Sequence, residues 1–456
     1  MKLRMICLPA LPIASRLRYR QTFSTRNGSG IRASLILFLC GCLSLIPSPA
    51  TAQLAGHGGP VRALALSADG ATLVSGSFDS SAIRWSLATG AATQVFRFHD
   101  GAVNAVAFLP DGRIVTAGED GRVALWTAGR QVPDTVLLGH EGPVSAVAVA
   151  PDGGSIATAS WDRTVRLWSL RDGKVRVFRG HQQNVNAVGF TPDATALVSA
   201  GYDATVRFWP INEAEAGRVA ALPSPLNAVV VANDGEIVAA GADGRVYFLA
   251  PDGEGRSSLE TSSTPITALA LAGSGEHVAA ANIGGSMAII DRKQRVLVRT
   301  LDGRPHPVWA LALLPDGKTL LSGGADRLIR SWDLASGRPL GDAGDSARDP
   351  LAAYAGDPGA RIFRACVACH TLKSDEGNRA GPTLHGIFGR RIATLPGYNF
   401  SEALKHLDIV WTPETVAKLF ELGPSRFTPG TKMPEQRITV PEDRDALVKF
   451  LERATN

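Results

Sequence analysis

Tryptophans Trp85, Trp126, Trp168 and Trp209 follow one another at intervals of 41, 42 and 41 residues, each closing a short apolar run such as Ala-Ile-Arg-Trp or Arg-Leu-Trp. The next of the series, Trp332, comes 123 residues later, three times 41, so two units without the tryptophan lie between, ending at Phe248-Leu249 and Ile289-Ile290. Seven units result. Each reads as short alternating strands separated by turns of the Pro-Asp-Gly kind, as in VRALALSADG, ATLVSGSFD and SAIRW. One such unit is too small to bury both of its faces, so the units must stack on one another.

A period of 40 to 45 residues, with Gly-His near the start and Trp near the end, resembles the WD repeat of β-propellers over residues 53–340. The resemblance implies an all-β ring of seven four-stranded blades, which protects the sheet edges. Histidines His57, His99, His140, His181 and His306 recur once in each of five units and invite a metal reading, but the resemblance gives them a structural part. In the family the histidine, the aspartate before the third strand and the tryptophan ending it are hydrogen-bonded inside each blade. Blade one would use His57, Asp79 and Trp85, blade three His140, Asp162 and Trp168, and blade four His181, Asp203 and Trp209. Units five and six lack the histidine and the tryptophan, and the sixth has Gly284 in the aspartate position, so these are expected to be the soft blades. Two ways of closing the ring remain open: a strand from Gln53 to Ala55, or one from Arg338 to Leu340. Propellers of this family commonly bind proteins on one face, which here would carry Phe78, Trp161, Tyr202 and Trp309, with Arg62, Asn104, Asn186 and Asn227 nearby.

Beyond the repeats stands Cys366-Val367-Ala368-Cys369-His370, a C-x-x-C-H attachment signature for c-type haem. Two thiols in one helical turn can add to the two haem vinyl groups, and the adjacent imidazole lies under the iron. A zinc site would need a second Cys or His pair nearby, and none is present. Cys7, Cys40 and Cys42 lie before residue 53, so Cys366 and Cys369 are the only cysteines beyond it, and Met287 and Met433 the only methionines.

Residues 356–456 resemble the small class I cytochromes c, of the cytochrome c2 and mitochondrial type, an all-α domain. The likeness rests on ARIFRACVACHTL, GPTLHGIFGRR, PGYNF, the lone Trp411, PGTKMP and a last helix ending DALVKFLERATN, in that order. It implies a single covalent haem c on Cys366 and Cys369, with His370 and Met433 as axial iron ligands. Pro382 would brace His370 through its carbonyl, and Arg390, Tyr398, Trp411 and Thr431 would line the pocket. Phe400, Leu404 and Phe420 stand where mitochondrial members place two tyrosines and an asparagine, so a drier pocket that favours the ferrous state is expected. Asp357 and Pro358 read as N-cap and first helical residue of a helix through Arg364. In the family this helix crosses the last one at the position of Gly359.

Residues 1–52 hold seven basic side chains, no acidic ones, and the apolar run ASLILFLCGCLSLI before Ala50-Thr51-Ala52. This reads as a signal peptide cleaved before Gln53, which places the folded part in the periplasm. Retention as a membrane anchor and lipidation at Cys42 are the alternatives. The chain carries +5 overall, but the part beyond residue 52 has 40 basic against 42 acidic side chains. Nucleic-acid binding, which needs dense positive charge, loses its compositional support. Residues 341–355 read as a Gly, Ala, Asp and Pro-rich linker. The expected function is single-electron transfer between redox partner proteins, docked by the propeller, without substrate turnover. Two other functions are compatible: an oxidoreductase with a further active site in the propeller, and a haem-based redox or gas sensor.

Overall fold

The computed structural model describes residues 53–455 apart from 213–216, 256, 304–305, 341–350, 365, 368–369, 375–377, 379–380, 399, 430, 432 and 434–436. The leader and Cys369 therefore lie outside the described residues.

Seven four-stranded antiparallel sheets make up the repeat region. Blades 1 to 6 occupy residues 61–97, 103–137, 144–179, 185–221, 226–260 and 266–302, and blade 7 combines 308–333 with Gln53–Ala55. Both sequence-level alternatives for closure are used, each for half of the outer edge. Gln53, Leu54 and Ala55 pair with Arg330, Ile329 and Leu328. Further along the same strand Pro339 bridges Trp332, and the Leu340 N–H donates to the Ser331 carbonyl at 2.8 Å.

The apolar core is distributed as seven clusters, one at each interface between neighbouring blades. The second strand of every blade is consequently covered on both faces. Thr72–Ser77, Ser155–Ser160 and His277–Asn282 are buried at every position after the first, with no exposed alternate side. A strict two-residue alternation therefore fails there, because burial on both faces selects small or apolar residues throughout. Close approach explains the small ones: a Cβ at Gly323 would stand 2.5 Å from Val61 Cγ1 in the next blade.

A second belt of contacts joins the blades near their first strands. Asn104, Asn186 and Asn227 donate from Nδ2 to the carbonyls of Val144, Leu226 and Ile266, at 3.2, 2.9 and 2.7 Å. Ser145 does the same with Oγ to Val185 at 2.6 Å. These asparagines, expected beside a partner face, act as staples between adjacent blades.

The C-terminal unit is helical: α1 (Pro358–Phe363), α2 (Glu402–Lys405), α3 (Pro413–Leu422), α4 (Pro424–Phe427) and α5 (Pro441–Ala454). The Asp357 carboxylate accepts from Gly359 N–H at 2.8 Å and Ala360 N–H at 3.1 Å, capping α1 with Pro358 at its first position. α1 crosses α5 at Gly359, where a Cβ would lie 2.1 Å from the Ala446 carbonyl oxygen. Beside the crossing, the Phe363 and Phe450 rings are 5.5 Å apart. The helical core begins upstream of residue 356. Leu351, read from composition as linker, is 1% exposed within it, and the Tyr354 ring packs edge-on against Phe450 at 5.1 Å. Two bulky apolar side chains in a Gly, Ala and Asp-rich stretch were hidden by its average composition.

Candidate haem site

A deep cavity opens in the helical unit, enclosing about 1310 Å³ of space free of protein atoms, including its open mouth. Phe363, Cys366 and His370 line it from the end of α1 and the turn that follows. The His370 N–H donates to the Cys366 carbonyl at 2.9 Å, a bond between residues four apart that holds the imidazole close to the first thiol. The His370 Nδ1–H donates to the Pro382 carbonyl at 2.8 Å. That bond sets the tautomer and leaves Nε2 with the lone pair. Gly381 lies against the same ring: a Cβ there would stand 2.4 Å from His370 Cε1.

Met433, Thr431 and Thr428 line the cavity from the segment after α4. The Met433 N–H donates to Thr431 Oγ1 at 3.1 Å, and the Thr428 hydroxyl donates to the Pro424 carbonyl at 2.9 Å, which ties this segment to α4. Arg390, Tyr398 and Trp411 are also on the wall, as are Phe400, Leu404 and Phe420. Arg390 donates to the carbonyls of His385 and Thr383 at 3.1 and 3.2 Å, and its burial pulls the guanidinium pKa below the ordinary arginine value. Backbone bonds between Arg390 and Trp411 at 2.9 Å, and between Gly389 and Trp411 at 2.8 Å, hold those two segments together. The wall is mainly apolar, with an imidazole, a thioether and a thiol along it. This donor set and shape suit a flat, iron-bearing macrocycle. Sequence reasoning missed several wall residues, among them Gly381, Arg391 and Thr428, and most completely Asp79 and Arg97, because these two belong to the propeller.

In the propeller, the recurrent histidines are engaged at both nitrogens. His57 pairs with Asp79 at 3.0 Å and with Ser75 at 2.7 Å, and Trp85 Nε1–H donates to the same Ser75 hydroxyl at 2.8 Å. Thr116, Thr158 and Ser199 take the place of Ser75 in blades 2, 3 and 4. His306 departs from the pattern: it is exposed, and Asp326 is paired instead by Arg330 at 2.6 Å. Of the four aromatics expected on a partner face, Phe78, Trp161 and Tyr202 are 49%, 46% and 44% exposed. Trp309 is half-buried, with the Arg62 guanidinium 5.2 Å from its ring centre.

Fold and site together define the class, a WD-repeat propeller joined to a c-type cytochrome. The family model "WD domain, G-beta repeat" matches residues 49–86, 90–127, 131–169, 173–210 and 295–333, leaving out the two atypical units. The "Cytochrome c" model matches residues 356–455. Over 98 residues the chain is 43% identical to the cytochrome c of Cochliobolus lunatus, covering 21% of this chain and 90% of that protein. It is also 43% identical over 98 residues to the Arabidopsis thaliana cytochrome c, covering 87% of that protein, and 38% identical over 104 residues to the one from Ginkgo biloba, covering 91%. Through its C-terminal unit the chain belongs to the cytochrome c family, and its cofactor is covalently bound haem c.

Proposed function

We propose that the protein is a periplasmic single-electron carrier, its haem c attached to Cys366 and Cys369 and ligated by His370 and Met433, with the propeller docking a redox partner. The reading is carried by the His370 imidazole, whose Nδ1 proton is held at 2.8 Å by Pro382 on the wall of a cavity that Met433 also lines. Haem held in this way by His370 and Met433 would supply one-electron exchange without binding a substrate. The chain's own residues set the conditions for that exchange. Pro382 and Gly381 fix the plane of the imidazole. The bonds of Thr431 and Thr428 limit the movement of Met433. Phe400, Leu404 and Phe420 exclude water, which disfavours the more highly charged ferric state. The basic leader followed by an apolar run supports export, and no helix among the described residues is long and apolar enough to cross a membrane.

Absorption spectroscopy tests the ligation. The ferric protein should show a sulfur-to-iron charge-transfer band that Met433→Ala abolishes, and the ferrous wild-type protein should not bind carbon monoxide at neutral pH. Rapid carbon monoxide binding by the wild type would defeat the carrier reading and favour a gas sensor. Release of the protein by osmotic shock tests the compartment, and retention with the cytosol would overturn it.

A further inference from the structure

Three arginines line the haem cavity: Arg390 and Arg391 from the helical unit, and Arg97 from the propeller strand Ala92–Arg97. Two of them have partners. Arg390 donates to two backbone carbonyls, and Arg391 pairs with Asp408 at 3.3 Å. Arg97 is different. Its Nε is buried and has no hydrogen-bond partner among the described residues. Its guanidinium carbon lies 5.4 Å from the centre of the Tyr398 ring, a cation–π contact between blade 1 and the cytochrome.

The neighbouring carboxylate does not satisfy it. Asp79 accepts from His57 at 3.0 Å, from Gly58 N–H at 2.7 Å, and from Ser81 N–H and Oγ at 2.9 and 2.6 Å. A buried guanidinium nitrogen without an acceptor is costly unless a ligand supplies one. The haem c of this family brings two carboxylates of its own, the propionates.

We infer that blade 1 forms part of the haem pocket, with Arg97 donating to a haem propionate, so that the propeller helps to set the potential of the haem it carries. The inference rests on haem c in the cavity and is independent of Met433 ligation. A fixed positive charge at the wall favours the ferrous state, because reduction removes one positive charge from the centre. Contact with blade 1 therefore raises the midpoint potential, and loss of that contact lowers it.

Spectroelectrochemical titration of the full-length holoprotein tests this. Arg97→Gln should lower the midpoint potential while the sulfur-to-iron band is retained, and Arg97→Lys should fall between it and the wild type. Arg171→Gln, which changes an exposed arginine paired with Asp152 in blade 3, should leave the potential unchanged. An Arg97→Gln holoprotein with the wild-type potential overturns the proposal. A second measurement needs no variant. Phenylglyoxal should modify Arg171 in the wild-type holoprotein and spare Arg97, and equal reaction rates at the two arginines overturn the proposal whether or not Arg97→Gln matures.

Discussion

The Ser199 hydroxyl sits between two ring nitrogens, Trp209 Nε1 at 2.7 Å and His181 Nε2 at 2.7 Å. The indole can only donate, so the hydroxyl is free to pass its own proton to Nε2. Nδ1–H then donates to Asp203 at 2.9 Å. One neutral tautomer satisfies the whole chain. Ser199→Ala would leave two buried ring nitrogens unsatisfied and should cost about 2 to 3 kcal/mol, read as a lower urea midpoint. The same relay predicts a pH dependence. Burial lowers the His181 pKa, against the opposing pull of Asp203. A base with a depressed folded pKa binds fewer protons folded than unfolded, so its contribution is complete above the unfolded value of 6.5 and declines as pH falls below it. For Asp79, Asp120 and Asp162 burial alone would raise the pKa. Hydrogen bonds and the electrostatic attraction of the adjacent imidazole N–H outweigh it and hold these carboxyls well below the usual range. Their contribution persists above the usual value of 3.8 and is lost as pH falls beneath it. Urea midpoints should therefore decline in two stages on acidification, and a flat profile between pH 7.5 and 5.5 would contradict the His181 part. The histidines and tryptophans of these relays were legible from their period. The central Ser or Thr was not, because hydroxyl residues are common in strands and carry no spacing signal of their own.

Blades 5 and 6 solve the same packing problem with other elements. Leu249 and Ile290 take the register positions of the missing tryptophans, opposite Ile237 and Val278. In blade 5 Asp243 accepts from the Tyr247 hydroxyl, and in blade 6 Asn282 donates to Ser262 and Ser286 at 2.8 and 2.6 Å. The two blades are also tied to each other. Arg292, buried, bridges Asp234 and Glu236 at 2.8 and 2.7 Å, and the Arg295 guanidinium lies 4.1 Å over the Phe248 ring. These bonds sit at the turns and leave the inner strands without the indole-to-aspartate relay. Amides of Ile237–Gly241 and His277–Asn282 should therefore exchange faster than those of Ser155–Ser160, and equal protection would show that the substitutes are complete. In the helical unit the crossing of α1 and α5 allows no side chain at Gly359. Gly359→Val should cost more than about 3 kcal/mol and sharply reduce the yield of holoprotein, measured by haem absorbance per mole of protein. That crossing was expected at Gly359 from the resemblance to the class I cytochromes c, and the structure places it there. The contribution of Leu351 was not expected, since an apolar residue within a stretch of linker composition shows no helical or strand period.

For the molecule as a whole, the number of blades could be counted from tryptophan intervals even across two units that lack the residue. Closure could not, because two short segments compete for one edge and the structure shares that edge between them. The propeller wall of the haem cavity was equally beyond sequence reach. Arg97 lies more than 250 positions before Cys366, and no motif marks its side chain. Leu54 is 4% exposed in the cluster between blades 7 and 1. Leu54→Asp would bury an unpaired carboxylate there, and should broaden the unfolding transition and lower its midpoint by the equivalent of roughly 3 kcal/mol. An unchanged transition would mean that the latch adds nothing to the ring.

Residues 53–55 are translated ahead of all seven blades, yet their partner, Leu328–Asp333, is translated at the end of the last one. During synthesis the nascent propeller would be an arc with an unfilled slot at one end and an unpaired strand at the other. The slot offers the same backbone edge to residues 53–55 of a second chain, so a strand-exchanged dimer is the characteristic misassembly for this topology. Crowded nascent chains would favour the exchange, and dilution would favour the self-closed ring.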